Sequence, residues 1–115
     1  MTSAMVSTGH PVASAGARLQ ADLDEVRRIV LAGLGPRRAR VWLFGSRASG
    51  TGGRGSDIDV AILSLDEPLP PEVLTAIEER LDESLVLYSV DLVDLRSADP
   101  GLRERVEREG LLWRS

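Results

Sequence analysis

The sequence contains no cysteine, no lysine and only one histidine, His10. Without cysteine, disulfide bonds, thiolate zinc sites and cysteine nucleophiles are excluded. Without lysine, a Walker A phosphate-binding loop and Schiff-base chemistry are excluded as well. His10 lies in a segment of small and polar residues, so histidine-based catalysis has no support in the sequence. The reactive side chains that remain are carboxylates, hydroxyls and guanidinium groups.

The sequence also has few aromatic side chains, no excess of positive charge and no long apolar runs. Four aromatic residues in a chain of 115 argue against single-strand nucleic-acid binding by base stacking. A net charge of −4 argues against a module that binds a nucleic-acid duplex. Neither an apolar run of about 20 residues, as a membrane span needs, nor a signal-peptide pattern is present. We therefore expect a cytoplasmic protein without direct contact to nucleic acid or membranes.

The length allows one domain. Residues 1–17 show no periodic apolar face and predict a disordered tail, so the folded domain is expected to cover residues 18–115. Within it, the apolar pattern predicts a helix, two strands, a second helix, a third strand and a last helix. This order predicts an α/β fold with a small mixed sheet flanked by helices.

Apolar spacing and turn residues set the expected bounds of these elements. The expected helices cover residues 19–34, 71–85 and 100–109, and the expected strands cover residues 41–44, 57–63 and 86–95. Asp99 should cap the last helix, because aspartate is a preferred N-cap residue and Pro100 suits the first helical turn. The apolar residues 111–113 should then fold back onto the core.

The glycine-rich loop between the first two strands contains a match to G-x-G-x-x-G, from Gly50 to Gly55. A dinucleotide-binding fingerprint follows a strand and opens a helix. Here the match runs into a strand pattern, so a Rossmann fold is not expected. A flexible loop between two strands is the simpler interpretation.

The chemistry is predicted to centre on an Asp-x-Asp motif, Asp57 and Asp59. Residues two apart on a strand face the same way, so the two carboxylates converge and repel each other unless a cation or protons compensate them. Mg²⁺ takes one or two carboxylates with water and phosphate oxygens, and a pair of such ions can clamp the oxygens of a nucleotidyl transfer. Asp91, costly to bury alone in an otherwise apolar strand, is the candidate third carboxylate. Asp94 would face the opposite side, as a surface or capping group.

Gly45 and Ser46, at the end of the first predicted strand, are candidate phosphate-binding residues. Glycine lets the backbone approach a ligand closely, and Ser46 could cap a turn whose free amides face phosphate oxygens. Arg47 and Arg54 are candidate phosphate contacts, because guanidinium suits phosphate geometry. Taken singly, such acids and arginines are mostly solvated, and such a Gly-Ser pair is mostly a simple turn. The prediction depends on their ordered combination.

Gly45-Ser46, ten further residues and then Asp57-x-Asp59 resemble the G-S-x10-D-x-D signature of the polymerase-beta-like nucleotidyltransferases. The similarity is closest to the minimal nucleotidyltransferases and extends over roughly residues 19–113. It implies a polymerase-beta-like nucleotidyltransferase fold, ATP as nucleotide donor and Mg²⁺, with two ions expected. The residues that it implies are Asp57 and Asp59 as catalytic metal ligands, Asp91 as metal ligand or base, and Gly45 and Ser46 as triphosphate-binding residues, beside Arg47 as the candidate phosphate contact.

Many minimal nucleotidyltransferases are the antitoxin of a two-gene module with a HEPN-domain ribonuclease toxin. The resemblance therefore implies a HEPN-type toxin partner in a hetero-oligomer, and transfer of AMP from ATP to a toxin tyrosine. The alternative is an antitoxin with an idle site that neutralises the toxin by binding alone. The acidic residues of the helix at 71–85 could then face a basic toxin surface, or simply be solvated. Transfer to a small molecule ranks lower, because such enzymes usually append an acceptor-binding domain.

Overall fold

The computed structural model describes residues 11–45 and 58–114, with the backbone alone described for residues 11–18. These residues form three helices and four strands. The helices are α1 (Pro11–Leu34), α2 (Pro71–Glu83) and α3 (Pro100–Glu109). The strands are β1 (Ala39–Phe44), β2 (Ile58–Ser64), β3 (Val90–Asp94) and β4 (Leu111–Arg114). None of these helices has both the length and the apolar character that a membrane crossing needs.

The four strands form one mixed sheet in the order β3-β2-β1-β4. β1 pairs antiparallel with β2 and with β4, whereas β2 and β3 run parallel. α2 lies in the crossover between the parallel strands, which a short turn could not connect. The predicted α/β fold with a small mixed sheet is confirmed.

Helices cover the two faces of the sheet unequally. On the first, α1 and α2 pack over alternate residues of β1 and β2 in a cluster of thirteen buried apolar residues, and we call it the major-core face. On the second, Val106 of α3 packs with Trp42, Ala61, Leu63 and Leu95 in a smaller cluster, and we call it the minor-core face. The long apolar stripe of α1 and the single buried residue of α3 account for this asymmetry.

α2 and α3 begin where the sequence predicts. Pro71 and Pro100 occupy the first turn, where the amide hydrogen that proline lacks has no helical partner. The Asp99 carboxylate caps α3 by accepting hydrogen bonds from the backbone N–H groups of Gly101 at 3.0 Å and Leu102 at 3.3 Å. Gly110 ends the helix, and its N–H donates to the Val106 carbonyl at 2.7 Å.

α1 begins earlier than predicted. It starts at Pro11, so residues 11–17, which belong to the predicted tail, have a helical backbone. The alanines of this stretch have high helix propensity, but without an apolar stripe the periodicity gave no helical signal. Residues 1–10, with His10, lie outside the described residues, and the start of the folded domain at residue 18 stays a prediction.

The third strand is shorter than predicted, and a fourth is present. β3 covers only Val90–Asp94 of the predicted strand at 86–95. α2 ends at Glu83, so the predicted helix at 71–85 is too long, and Leu85 lies beyond its end and is exposed. Residues 111–114 do fold back, but as β4, paired with β1. Four residues are too few for periodicity alone to indicate a strand.

Candidate active site

Two of the three predicted acids lie side by side at one end of the sheet. Asp59 on β2 and Asp91 on β3 are register partners across the parallel pair. Neighbouring strands are about 4.8 Å apart, and register partners point to the same face. Alternation along the strands places both acids on the face of Ala61 and Val93, which is the minor-core face.

The backbone fixes the acids where the parallel ladder begins. The N–H of Ile58 donates to the Ser89 carbonyl at 2.8 Å, which ties the start of β2 to the chain entering β3. Ile58 is fully buried in the major core, so its neighbour Asp59 is turned to the other face. α3 lies further along that face, where its Val106 belongs to the same cluster as Ala61 and Leu63. The acids therefore lie beyond the part of the minor-core face that α3 covers.

Gly45 lies against the Asp59 carboxylate. It directly follows Phe44, which is the register partner of Asp59 across β1 and β2. Its φ of +80° is a backbone conformation that glycine adopts without strain. A Cβ at this position would lie 2.5 Å from Asp59 Oδ2. The lack of a side chain thus lets the end of β1, where the predicted phosphate-binding turn begins, approach the acids.

The two acids differ in exposure. Asp59 is half-buried, whereas Asp91 is exposed, because β3 is an edge strand of the sheet. The sequence argument for Asp91 depended on the cost of burying a lone carboxylate, and exposure removes that cost. That argument is therefore wrong, although Asp91 does lie beside Asp59. An exposed carboxylate at this position is open to a ligand that arrives from solvent.

Asp94 stabilises the turn after β3 and so has the capping role that the sequence predicts as one of two possibilities. Its Oδ1 accepts a hydrogen bond from the backbone N–H of Arg96 at 3.0 Å. Its backbone carbonyl accepts hydrogen bonds from the N–H and the hydroxyl of Ser97, both at 3.2 Å. Asp94 is therefore a capping residue.

The remaining predicted site residues lie outside the described residues. Ser46, Arg47, Arg54 and Asp57 all fall in the stretch 46–57, as does the glycine-rich match within it. The residues that are described contain no group of three or more acids or histidines able to hold a metal ion. Asp59 and Asp91 supply two of the three predicted carboxylates, and the role of Asp57 as the third stays a prediction.

The described part of the site fits a magnesium–nucleotide complex. Two carboxylates on adjacent strands repel each other unless a cation or a proton compensates them. Mg²⁺ binds one or two protein carboxylates and completes its shell with water and phosphate oxygens. The close approach of Gly45 to Asp59 brings backbone next to the same carboxylate. Asp59 and Asp91 therefore form a pair of donors that suits a divalent cation, and Gly45, where the predicted phosphate-binding turn begins, lies against one of them.

The structure also shows a groove that the sequence pattern does not indicate. It has a volume of about 440 Å³ and lies between the end of α2 and the segment that enters β3. Glu78 and Asp82 of α2 line one side, and Leu87, Tyr88 and Ser89 line the other. The two sides come from different elements, so only the fold brings them together. The single signal in the sequence is the acidic surface of α2.

Comparison with known proteins identifies both the domain and its relatives. Residues 37–113 match the protein-family model for "Polymerase beta, Nucleotidyltransferase". The chain is 40% identical over 82 residues to the "Protein adenylyltransferase MntA" of Shewanella oneidensis. That match covers 68% of this chain and 55% of the relative, so this chain spans about half the length of that protein.

Two solved toxin–antitoxin complexes contain chains with a similar fold. One is a crystal structure of "the toxin-antitoxin with AMP-PNP", in which the matched chain is 32% identical with a TM-score of 0.61; the match covers 83% of this chain and 73% of that chain. The other contains the tri-AMPylated Shewanella oneidensis HEPN toxin in complex with an MNT antitoxin. Its matched chain is 29% identical with a TM-score of 0.61, and the match covers 84% of this chain and 72% of that chain.

Proposed function

This chain belongs to the polymerase beta nucleotidyltransferase family, and we propose that it transfers AMP from ATP to a tyrosine of a HEPN-type toxin partner. The observation that carries the proposal is the placement of Asp59 beside Asp91, against Gly45, at one end of the sheet. The relative named as a protein adenylyltransferase supports the reaction class. The similar chains in toxin–antitoxin complexes support a toxin as the acceptor.

The proposed reaction makes one bond to phosphorus and breaks another. The tyrosine oxygen bonds to the α-phosphorus of ATP, the bond from that phosphorus to the α–β bridging oxygen breaks, and pyrophosphate leaves. The hydroxyl proton passes to a base, for which Asp91 is the candidate because its carboxylate is exposed at the end of the sheet. The product carries AMP on the tyrosine through a phosphodiester.

The donor site is proposed to consist of acids on the strands and a turn after β1. Asp59 and Asp91, with Asp57, would hold two Mg²⁺ ions, which supply positive charge against the phosphate oxygens. Ser46 and Arg47, which follow Gly45, would bind the triphosphate through backbone amides, a hydroxyl and a guanidinium group. AMP-PNP, the ligand named for a similar structure, is an analogue of ATP, which supports ATP as donor. A cytoplasmic location, where ATP and the toxin are available, belongs to the proposal.

Intact-mass analysis of the toxin tests the proposal. The chain is incubated with ATP, Mg²⁺ and the product of the neighbouring gene as the proposed toxin, and the expected result is one or more adenylate-sized increments on that protein. Asp57→Asn should abolish the increments. Asp94→Asn is the matched control, because it makes the same substitution in a capping residue and should leave transfer intact. Transfer that persists at the wild-type rate in Asp57→Asn would contradict the mechanism.

The alternative, neutralisation by binding alone, makes a different prediction. If it holds, Asp57→Asn should protect cells from the toxin as well as the wild-type chain does, with no added mass on the toxin. If transfer is the function, the same variant should bind the toxin and fail to protect.

A further inference from the structure

Two exposed leucines lie on the segment that leads into β3 and to Asp91. Leu85 is 92% exposed and Leu87 is 70% exposed, more than any other large apolar residue in the described part of the chain. Removing such side chains from water on binding is favourable, by roughly 25 cal/mol per Å² of apolar surface. This exposed apolar pair, of which Leu87 lines the groove, therefore needs an explanation that the fold itself does not supply.

The backbone of this segment is held in place while the leucines point outward. The Ser84 hydroxyl donates to the Leu81 carbonyl at 2.6 Å and accepts from the N–H of Val86 at 3.2 Å. The N–H of Leu87 donates to Asp22 Oδ2 of α1 at 3.2 Å. The exposure of the two leucine side chains is therefore not a consequence of a poorly ordered backbone. A surface whose backbone is already ordered loses less conformational entropy when a partner binds.

Exposure alternates along the segment and continues to the site. Val86, Tyr88 and Val90 pack against the major core. The residues between and beside them are exposed: Leu85, Leu87, Ser89 and Asp91. The leucines and the candidate base are thus exposed residues of one stretch of chain, and the four residue steps from Leu87 to Asp91 span at most about 14 Å. A protein seated on the leucines would reach Asp91.

Acidic side chains border the same surface. Glu78 and Asp82 line the groove together with Leu87. α2 carries five acids and one arginine, and within the described residues neither Glu78 nor Asp82 takes part in an ion pair. A second copy of this chain would bring acids against acids in a twofold contact, which is unfavourable. The charge therefore favours a basic partner.

We propose that Leu85, Leu87, Glu78 and Asp82 form the docking surface for the acceptor protein, and that the part of the acceptor that docks there carries apolar side chains flanked by arginine or lysine. The proposal depends on the proposed function, because it takes the acceptor to be a protein. It adds the surface that binds the acceptor and the chemistry of the segment that is bound.

Calorimetric titration with the product of the neighbouring gene, the proposed toxin, tests the apolar half of the surface. The double variant Leu85→Ser/Leu87→Ser should weaken the Kd by at least about tenfold, as loss of central apolar contacts does. The matched control is Leu111→Ser/Leu112→Ser on β4, at the opposite edge of the sheet, where the leucines are 54% and 48% exposed. The control should bind within about twofold of the wild-type chain.

The salt dependence of the association rate tests the acidic half of the docking surface. Glu78→Gln/Asp82→Asn should slow association by about tenfold at low ionic strength and flatten its dependence on salt, because exposed charges act on encounter and are screened. Glu72→Gln/Glu79→Gln removes the same charge from α2 outside the groove and should change the rate far less.

The outcomes separate docking from catalysis. Asp57→Asn should bind the toxin as the wild-type chain does and fail to modify it. If the leucine double variant binds with wild-type affinity while the wild-type chain transfers AMP, the docking surface is wrong and the proposed function stands. If that variant loses binding while even the wild-type chain transfers nothing, the docking surface stands and the proposed function fails. A wild-type chain that dimerises through the two leucines would overturn the choice of occupant.

Discussion

The major-core and minor-core faces of the sheet differ in how far helices cover them. On the major-core face, α1 and α2 bury a cluster of thirteen apolar residues against the strands. On the minor-core face, α3 is only ten residues long and covers one end, and Asp59 and Asp91 lie at the other. Carboxylates are costly to bury without partners. We infer that one face supplies most of the stability, which leaves part of the other free to hold charge.

Loss of the Asp59 carboxylate should have the largest effect and should act on activity alone. Asp59→Asn keeps the shape of the side chain and removes a proposed metal ligand, so kcat/KM for AMP transfer should fall by about 10³-fold or more. The free energy of unfolding should change by less than about 1 kcal/mol, because asparagine keeps an oxygen that accepts hydrogen bonds at this half-buried position. Transfer assays and urea unfolding measure the two quantities. A variant that loses stability together with activity would contradict the division between the faces.

Ile77→Ala tests the major-core face, where a substitution should lower stability and leave activity unchanged. Ile77 is fully buried in α2 and packs against Gly33 of α1, where a Cβ on the glycine would clash with its side chain. Truncation should lower the free energy of unfolding by about 2–5 kcal/mol, and kcat of the folded fraction should not change. Thr75→Ala, at an exposed position of the same helix, should stay within about 0.5 kcal/mol of the wild-type chain. A loss below about 1 kcal/mol for Ile77→Ala would show that the cluster tolerates a cavity there.

The features of the fold and site that the sequence predicts correctly depend on residues that lie close together in the chain. Pro71 and Pro100 mark helix starts, and Asp99 marks a cap, because the chemistry of a helix end involves residues a few positions apart. The separation of Asp91 from Asp94 follows from the two-residue period of a strand. Membership of the nucleotidyltransferase family was predicted from a signature contained in fifteen consecutive residues, 45–59.

The parts that could not be predicted depend on contacts between distant residues. β4 is a strand because β1 has a free edge to pair with, and its own four residues carry no periodic signal. Asp91 is exposed because β3 lies at the edge of the sheet, and strand order cannot be read from one strand. The groove joins the end of α2 to the segment before β3, and Asp22 of α1 holds that segment. Each of these features requires the assembled sheet.

Alanine variants of two glycines with positive φ, Gly45 and Gly35, test whether the active site needs Gly45 in addition to the backbone turn it forms. Gly45 has φ +80° and Gly35 has φ +62°, so alanine at either position should cost about 1–2 kcal/mol of stability. Only at position 45 would the added Cβ meet the Asp59 carboxylate, since nothing lies within 4 Å at position 35. Gly45→Ala should therefore also lower AMP transfer by at least about tenfold. Equal activities of the two variants would show that Asp59 can move without loss.

Asp99→Ala should have the smallest effect, confined to the covered end of the minor-core face. It removes two hydrogen bonds at the start of α3 and should lower the free energy of unfolding by about 1 kcal/mol. Asp99→Asn keeps an acceptor oxygen and should cost less. AMP transfer should be unchanged in both variants, because the cluster that holds α3 on the sheet involves Ala61 and Leu63, further along β2 than Asp59. If transfer falls in proportion to the stability lost, α3 must hold the acids in place as well, and the two ends of this face would not be independent.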